Sequence, residues 1–152
     1  MIWRVMADDI QEKRTASGVA VYYDARRENA ALARALGADV AERFGPRDES
    51  LFSLVARDDA GEMIGGVNGA AHWSWFYIRH LWVAPERRGQ GLAALLLKAV
   101  EAKAKEQGCA GLYIDTFEAG IAGLYERRGF QRAGVIDGFP PGAARYFLFK
   151  KL

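Results

Sequence analysis

The spacing of apolar residues predicts a sheet in the middle of the chain. The segment 51–71 contains two apolar runs separated by DDAG at positions 58–61, a sequence typical of a hairpin turn. The next segment, 75–83, reads WFYIRHLWV, and its aromatic and β-branched side chains favour a third strand that Pro85 ends. These runs predict an antiparallel meander.

Beyond the meander, apolar residues recur at helical spacing. A helix is predicted from near Gly91 to Gly108, with charged residues outside and an apolar face made of Leu92, Leu95, Leu96, Ala99 and Val100. Further elements are a buried strand, a short helix that ends at Gly129 and two final strands, at residues 111–117, 119–128, 130–136 and 145–149. This order predicts an α/β protein with a mixed, mostly antiparallel sheet flanked by helices.

The beginning of the chain has a weaker pattern. Residues 2–5 could form a strand, and residues 19–23 are the better candidate for one. Residues 26–44 carry alanines and leucines at helical spacing and stop before Gly45 and Pro46, which predicts a helix. Because 51% of the 152 residues are hydrophobic, one sizeable core can form, and residues 1–152 are predicted to be a single domain.

Charge and cysteine content narrow the class of protein. The 21 basic and 19 acidic residues give a net charge of +2, which argues against a nucleic-acid surface. The apolar runs are too short to cross a membrane, and residues 1–4 do not open a signal segment. The single cysteine, Cys109, cannot form an internal disulfide and is expected to be buried. We therefore expect a soluble, cytoplasmic protein.

The segment Arg88-Gly89-Gln90-Gly91 lies between the predicted third strand and the predicted helix. Backbone amides at a helix N-terminus bind phosphate, and glycine allows a ligand to approach the backbone closely. The simpler interpretation is that the two glycines only form a tight turn. The segment lacks the Gly-Lys-Ser/Thr end of a Walker loop and the third glycine of a dinucleotide fold, so these two motifs are excluded.

Two motifs resemble the signatures of the GCN5-related N-acetyltransferases. The first signature is Arg/Gln-x-x-Gly-x-Gly/Ala at the start of the central helix, and residues 88–93 read RGQGLA. The second places a tyrosine before a Gly-Phe that opens a strand, and LYERRGF at residues 124–130 is similar to it. The similarity covers roughly residues 51–152. It implies a splayed sheet with acetyl-CoA as the co-substrate.

The resemblance implies a coenzyme site made of two segments. Backbone amides of the loop and the first helical turn would hold the pyrophosphate. These are the amides of Arg88, Gly89, Gln90, Gly91, Leu92 and Ala93. The strand edge would pair with the pantetheine amides like an added strand, at Leu81, Trp82 and Val83. A backbone amide there can also stabilise the oxyanion. No metal is expected, because the two histidines and one cysteine have no ligand spacing.

The resemblance also implies a proton donor. Tyr125 occupies the position of the family's tyrosine near the coenzyme sulfur and is predicted to protonate the departing thiolate, although it could simply pack on the sheet. Many relatives carry an asparagine seven residues before this tyrosine, where this chain has Glu118, a candidate base for the amine. Asp115 and His80 are rival bases. A dedicated base is not required, since a water chain and an apolar pocket can deprotonate an amine.

Aromatic residues are concentrated around the third strand. They are Trp73, Trp75, Phe76, Tyr77 and Trp82. Residues at strand spacing usually form cross-strand contacts, but these rings could instead form a pocket whose ring faces bind an ammonium group.

We predict, from the resemblance, an acetyl-CoA-dependent N-acetyltransferase that acts on a primary amine of a small molecule or peptide. A protein of this fold could instead be a non-catalytic acyl-CoA-binding module. It could also be a toxin that acetylates aminoacyl-tRNA, but the charge balance of this chain argues against the basic surface that such a toxin needs. Exposed sheet edges near the C-terminus favour a homodimer.

Overall fold

The computed structural model describes residues 13–14, 19–21 and 28–152. The chain divides into two compact units, Met1–Pro46 and Arg47–Leu152. The single domain over residues 1–152 stays a prediction.

The described residues of the first unit form two short strands and one helix. Strand β1 (Lys13–Arg14) pairs antiparallel with β2 (Ala20–Val21). Helix α1 (Ala30–Phe44) begins after Asn29, whose side chain accepts hydrogen bonds from two amides of the first turn, and it ends at Gly45 with a φ of 84°. The predicted helix and the strand near residue 20 are confirmed within the described part. The strand expected at residues 2–5 lies outside the described residues.

The second unit follows the predicted order of elements. They are β3 (Ser50–Arg57), β4 (Met63–His72), β5 (Trp75–Val83), a 3-10 helix (Pro85–Arg87), α2 (Leu92–Glu106), β6 (Gly111–Thr116), α3 (Ala119–Glu126), β7 (Gln131–Asp137) and β8 (Ala144–Lys151). The predicted hairpin turn is closed by Asp58, whose Oδ1 atom accepts hydrogen bonds from the amides of Ala60 and Glu62. The meander, the crossover helix and the final hairpin are therefore confirmed.

The six strands form one mixed sheet in the order β3-β4-β5-β6-β8-β7. Its neighbours are antiparallel except for β5 and β6, which are parallel and are joined by the crossover through α2. Pairing between these two strands runs from Trp75 opposite Gly111 to Ile78 opposite Ile114, although β5 continues to Val83. The second half of β5 stays with β4, while β6 stays with β8. The sheet therefore splits in its centre.

A bulge in β5 lies where the sheet splits. Asn68 of β4 is opposite His80 and Gly69 is opposite Ile78, so Arg79 is an extra residue in β5. A Cβ atom on Gly69 would lie 2.4 Å from the carbonyl oxygen of Tyr77 and 2.6 Å from the ring of Phe76. Only glycine therefore fits opposite the bulge.

The core lies between one face of the sheet and helices α2 and α3. Phe76, Ile78, Leu112 and Ile114 of the two central strands point into it. Cys109 is buried there as predicted, and this burial raises the pKa of its thiol. One prediction for the face of α2 was wrong: Leu95 is 64% exposed, because the helix turns its buried stripe toward Leu96, Leu97, Val100 and Ala104.

Replacing Gly69 by alanine should disturb the bulge. The added methyl group cannot be accommodated without moving the backbone of β5, so Gly69→Ala should lower the free energy of unfolding by about 1–3 kcal/mol. Gly134→Ala is the matched control, because a Cβ atom there meets nothing within 4 Å and its φ is not positive. Thermal unfolding of both variants measures the difference, and equal melting temperatures would contradict this role of Gly69.

Candidate functional site

A cavity of about 820 Å³ occupies the split between β5 and β6. Its walls come from the second half of β5, the loop before α2, the end of β6 and the inner side of α3. Most of the predicted site residues line it, namely Leu81, Trp82, Val83, Arg88, Gly89, Gly91, Leu92, Ala93, Glu118 and Tyr125. Gln90 does not line the cavity, because its side-chain amide donates a hydrogen bond to the carbonyl oxygen of Glu86 at 3.0 Å.

The loop before α2 has the backbone geometry of an anion site. Gly89 and Gly91 have φ angles of 72° and 84°, a region that side chains other than glycine rarely adopt. The amide of Leu95 donates to the carbonyl oxygen of Gly91, so the amides in the preceding turn have no partner within the helix. These amides and the positive end of the helix dipole lie at one end of the cavity.

Two arginines fasten this loop to the sheet. The Nε atom of Arg88 donates a hydrogen bond to the carbonyl oxygen of Val83 at 3.1 Å. Arg87 lies 3.7 Å from the carboxylate of Asp58, in the turn between β3 and β4. One side of the Arg88 guanidinium is therefore committed to the protein.

The free edge of β5 presents alternate residues to the cavity. The amide of Ala84 bonds to Ile64 on β4, and bonding in an antiparallel pair alternates along the strand, so the backbone of Trp82 also faces β4. The backbone groups of Leu81 and Val83 face the split instead. The Val83 carbonyl is already bonded to Arg88. Trp82 contributes its side chain, which lines the cavity and is 44% exposed.

Tyr125 is almost completely buried at the inner wall of the cavity, with 4% of its surface exposed. Its ring packs against that of Phe130, with the centroids 5.7 Å apart. Burial, with a smaller contribution from the negative charge of Asp115, raises the pKa of Tyr125 to about 12. The phenol is therefore protonated at neutral pH.

The three candidate bases have different surroundings. Glu118 is exposed at the rim of the cavity, immediately before α3, and its side chain does not cap that helix. His80 is exposed and also lines the cavity. The carboxylate of Asp115 is instead engaged by two other side chains. Glu118 and His80 can reach water, whereas Asp115 is held in place.

Asp115 is held by residues that local sequence motifs do not indicate. Its Oδ1 atom accepts a hydrogen bond from the hydroxyl of Tyr77 at 2.8 Å. Its Oδ2 atom accepts from Nε of Arg145 at 2.8 Å and lies 2.8 Å from Nη2 of the same residue. One signal was available: Asp115 lies within a predicted apolar strand, and Arg145, of opposite charge, begins another.

Aromatic rings surround this ion pair. The guanidinium carbon of Arg145 lies 5.1–5.3 Å from the ring centroids of Phe117, Phe139 and Phe147. The Tyr77 ring stacks on Tyr113, with the centroids 4.6 Å apart. The predicted cross-strand ring contacts are confirmed for three residues of the set, in the pairs Phe76 with Phe52, Tyr77 with Tyr113, and Trp75 with Phe149. Trp73 and Trp82 are exposed instead, and Trp82 lines the cavity.

The described residues, 13–14, 19–21 and 28–152, include neither a cluster of metal-binding side chains nor a membrane-spanning helix. No group of three or more His, Cys, Asp or Glu residues there could hold a metal ion. No helix there has the length and apolar character needed to cross a membrane.

The split sheet and the loop before α2 together define a class of protein. A helix N-terminus at one end of a cleft suits a pyrophosphate, and a free strand edge beside it suits an extended chain that carries amides. An acyl-CoA thioester has both parts. The fold and the cavity are therefore those of an acyl-CoA-dependent transferase.

Comparisons with known proteins identify the family. Residues 11–130 match the model of the acetyltransferase (GNAT) family. The chain is 35% identical over 107 residues to a blasticidin-S acetyltransferase of Streptomyces morookaense, covering 70% of this chain and 79% of that protein. It is also 35% identical over 109 residues to an acetyltransferase of Agrobacterium fabrum, covering 72% of this chain and 80% of the relative. The chain belongs to the GNAT acetyltransferase family.

The fold is similar to that of solved acetyltransferases. The crystal structure of an acetyltransferase from Bacillus cereus superposes with a TM-score of 0.73 at 25% identity, covering 86% of this chain and 98% of that chain. The protein is an acetyl-CoA-dependent acetyltransferase, and these similarities do not favour the binding module or the toxin.

Proposed function

We propose that this enzyme transfers the acetyl group of acetyl-CoA to a primary amine of a small molecule, by direct attack on the thioester in the split between β5 and β6. The observation that carries the proposal is that one cavity is lined by the loop before α2, the free edge of β5 and Tyr125. A small acceptor is favoured over a peptide because the relative from Streptomyces morookaense is named for blasticidin S. The amine of a peptide is the second candidate.

The coenzyme would lie along β5 with its pyrophosphate at the start of α2. The amides of the loop and the first turn would bind the phosphate oxygens, with those of Leu92 and Ala93 at the helix N-terminus. The charge of Arg88 would add to their attraction. The pantetheine amides would pair with the backbone groups of Leu81 and the amide of Val83, and one amide there would polarise the thioester carbonyl.

Tyr125 would stabilise the leaving thiolate by donating a hydrogen bond. A thiol has an ordinary pKa of about 8.5, and the pKa of Tyr125 is about 12, so complete proton transfer would be uphill by roughly 3.5 units, or about 5 kcal/mol. A hydrogen bond to the developing charge avoids most of this cost. The buried phenol therefore acts as a fixed donor while the carbon–sulfur bond breaks.

Glu118 would take up the proton that the amine releases. Its carboxylate lies at the rim of the cavity and can reach water, so it can act through a bridging water molecule. The amine nitrogen forms its bond to the acetyl carbon, the thiolate leaves with the bonding electrons, and the amine proton passes to water or to Glu118.

The location and assembly of the enzyme are further parts of the proposal. A cytoplasmic location is supported by the single buried cysteine and by the need for acetyl-CoA. A homodimer is supported by β7, which lies at the end of the sheet and exposes Val135 and Ile136. Analytical ultracentrifugation tests the dimer.

The coenzyme site predicts a difference between two variants of equal shape. Asn and Asp both tolerate the left-handed backbone of Gly91, and only Asp adds a negative charge beside the pyrophosphate. Gly91→Asp should raise the Kd for acetyl-CoA at least about 100-fold more than Gly91→Asn, with similar melting temperatures. Calorimetric Kd values that agree within about two-fold for the two variants would show that the pyrophosphate does not lie beside Gly91.

The donor role of Tyr125 predicts a loss of turnover without a loss of coenzyme binding. Tyr125→Phe keeps the ring contact with Phe130 and should lower kcat about 10- to 100-fold while the Kd for acetyl-CoA is unchanged. Single-turnover measurements with a good acceptor isolate the chemical step. A mutant that reacts at the parent rate would show that the thiolate leaves without this hydroxyl.

The pH dependence of kcat for the parent enzyme and for Tyr125→Phe gives a second test of the donor role. Since burial raises the pKa of Tyr125 to about 12, the phenol keeps its proton, and its function, up to roughly pH 11 and loses them only above that. The ratio of parent to Tyr125→Phe kcat should therefore stay constant between about pH 7 and 10. A ratio that falls toward 1 by about pH 9 would mean that Tyr125 ionises in the working range.

A further inference from the structure

Asp115 differs from the other acidic residue of the cavity, Glu118, because its orientation is fixed. Its side chain is 14% exposed, and both oxygen atoms have protein partners, Tyr77 on one side and Arg145 on the other. A carboxylate oxygen can accept about two hydrogen bonds, and the Oδ1 atom accepts one from the protein. Asp115 lines the cavity, so the second acceptor position of Oδ1 is available to a molecule bound there.

The face of the sheet on which Asp115 lies is opposite to that of the proposed coenzyme site. Leu112 and Ile114 of β6 are buried against α2 and α3, so the alternate residues Tyr113 and Asp115 point to the other face. The start of α2 and Tyr125 of α3 belong to the helical face. A coenzyme held there blocks that side of the split. An amine must therefore approach the thioester from the side of Asp115.

We propose that Asp115 binds the acceptor amine in its neutral form, and that Tyr77 and Arg145 are positioning residues that orient the carboxylate and offset its charge. This inference rests on the acetyltransferase function proposed above, and it adds the residue that selects the acceptor. The amine donates one hydrogen bond to Oδ1 of Asp115 and keeps its lone pair for the thioester.

The charge of Arg145 is needed because an unpaired carboxylate would make the amine less reactive. A negative charge beside an amine favours the ammonium form, which has no lone pair to attack with. Arg145 lies against Asp115 and supplies the compensating positive charge, and three aromatic rings lie around its guanidinium. The carboxylate thus accepts a hydrogen bond without strongly stabilising the ammonium ion.

The same contacts restrict the class of acceptor. The guanidinium of Arg145 is paired with Asp115 and does not line the cavity, so it offers no site there for a carboxylate of the substrate. A carboxylate next to the amine would instead meet the Asp115 oxygens, which are acceptors to which it has no hydrogen to donate. The acceptor is therefore a small primary amine without a neighbouring carboxylate.

Other titratable or charged groups also face this position. Tyr77 on β5 and Arg145 on β8 bond to Asp115 directly, and Tyr125 on α3 lies near enough for the charge of Asp115 to contribute to its raised pKa. The remaining ionisable residues that line the same cavity are Arg79, His80, Arg87, Arg88, Glu118 and Arg128. Both tyrosines have raised pKa values, mainly through burial, so they remain neutral near pH 7. Arg145 is the cation bonded to Asp115.

The test uses the full chain, acetyl-CoA and two acceptors, tyramine and 1,4-diaminobutane, with tyrosine as the carboxylate-bearing counterpart of tyramine. Asp115→Asn should raise the KM for the amine about 10-fold, and Tyr77→Phe should raise it a few-fold. Neither variant should change the Kd for acetyl-CoA. Arg145→Met should shift the acid limb of the kcat profile to higher pH by about one unit, because the bound amine keeps its proton longer. Tyrosine should be a poorer acceptor than tyramine by at least about 10-fold.

Two further variants separate a specific effect from a structural one. Asp115→Asn combined with Arg145→Met removes both charges together, leaves no unpaired ion and should return the acid limb to the parent position. Arg132→Met is the matched control, because Arg132 also pairs with a carboxylate and lies over a ring, that of Tyr146, but its partner Glu126, unlike Asp115, does not line the cavity. It should leave the KM and the pH profile unchanged.

The outcomes are distinct. If the parent releases no thiol with either amine while it still binds acetyl-CoA, the proposed small-amine function fails, and this inference fails with it. If the parent turns over and Arg145→Met changes neither the acid limb nor the KM for the amine, only the role of Asp115 is overturned. Tyr77→Phe decides the same question if Arg145→Met does not fold. An equal loss of affinity for both substrates in Asp115→Asn would show that the network is structural.

Discussion

The site depends on one constraint, the separation of β5 from β6 after Ile78. Two parallel strands that paired along their full length would leave no free edge and no cavity. The extra residue Arg79 changes the register of β5 against β4, and Gly69 is the residue opposite it that leaves room for the backbone. The strand therefore follows β4 away from β6. The cavity lining and the proposed coenzyme and amine positions all follow from this separation.

Charge is distributed unequally on the two sides of the split. The helical side carries the positive end of the α2 dipole and the charge of Arg88, next to a phenol that burial keeps protonated. The other side carries Asp115, whose charge Arg145 offsets. An anionic coenzyme is therefore attracted to the first side. The second side has a nearly neutral hydrogen-bond acceptor, which suits an uncharged amine.

Local patterns in the sequence predicted the elements of the second unit and the loop that begins α2. The strand Trp75–Val83 was predicted with its observed bounds, and the hairpin turn that contains Asp58 was identified from its residue types. The wrong position of Leu95 has a local cause, because adjacent helical residues differ by about 100° and either side of the stripe could have faced the sheet.

The pairings that define the site connect distant parts of the chain. Asp115 and Arg145 are 30 residues apart, and the bulge at Arg79 depends on the register with Asn68. Neither relation has a local periodicity, so the order of strands had to be known first. The bond from Arg88 to Val83 was missed although the two residues are close in sequence, because residue type does not reveal the direction of a side chain in a loop.

Hydrogen–deuterium exchange with and without acetyl-CoA tests the central claim, that the coenzyme lies in the split between β5 and β6. The amides of Leu81 and Val83 and those of residues 89–93 should exchange more slowly when acetyl-CoA is bound, because they would be hydrogen-bonded to it. The amides of β3, on the outer edge of the sheet, should exchange at the same rate in both states. Protection elsewhere, with the loop and the edge of β5 unchanged, would contradict the account.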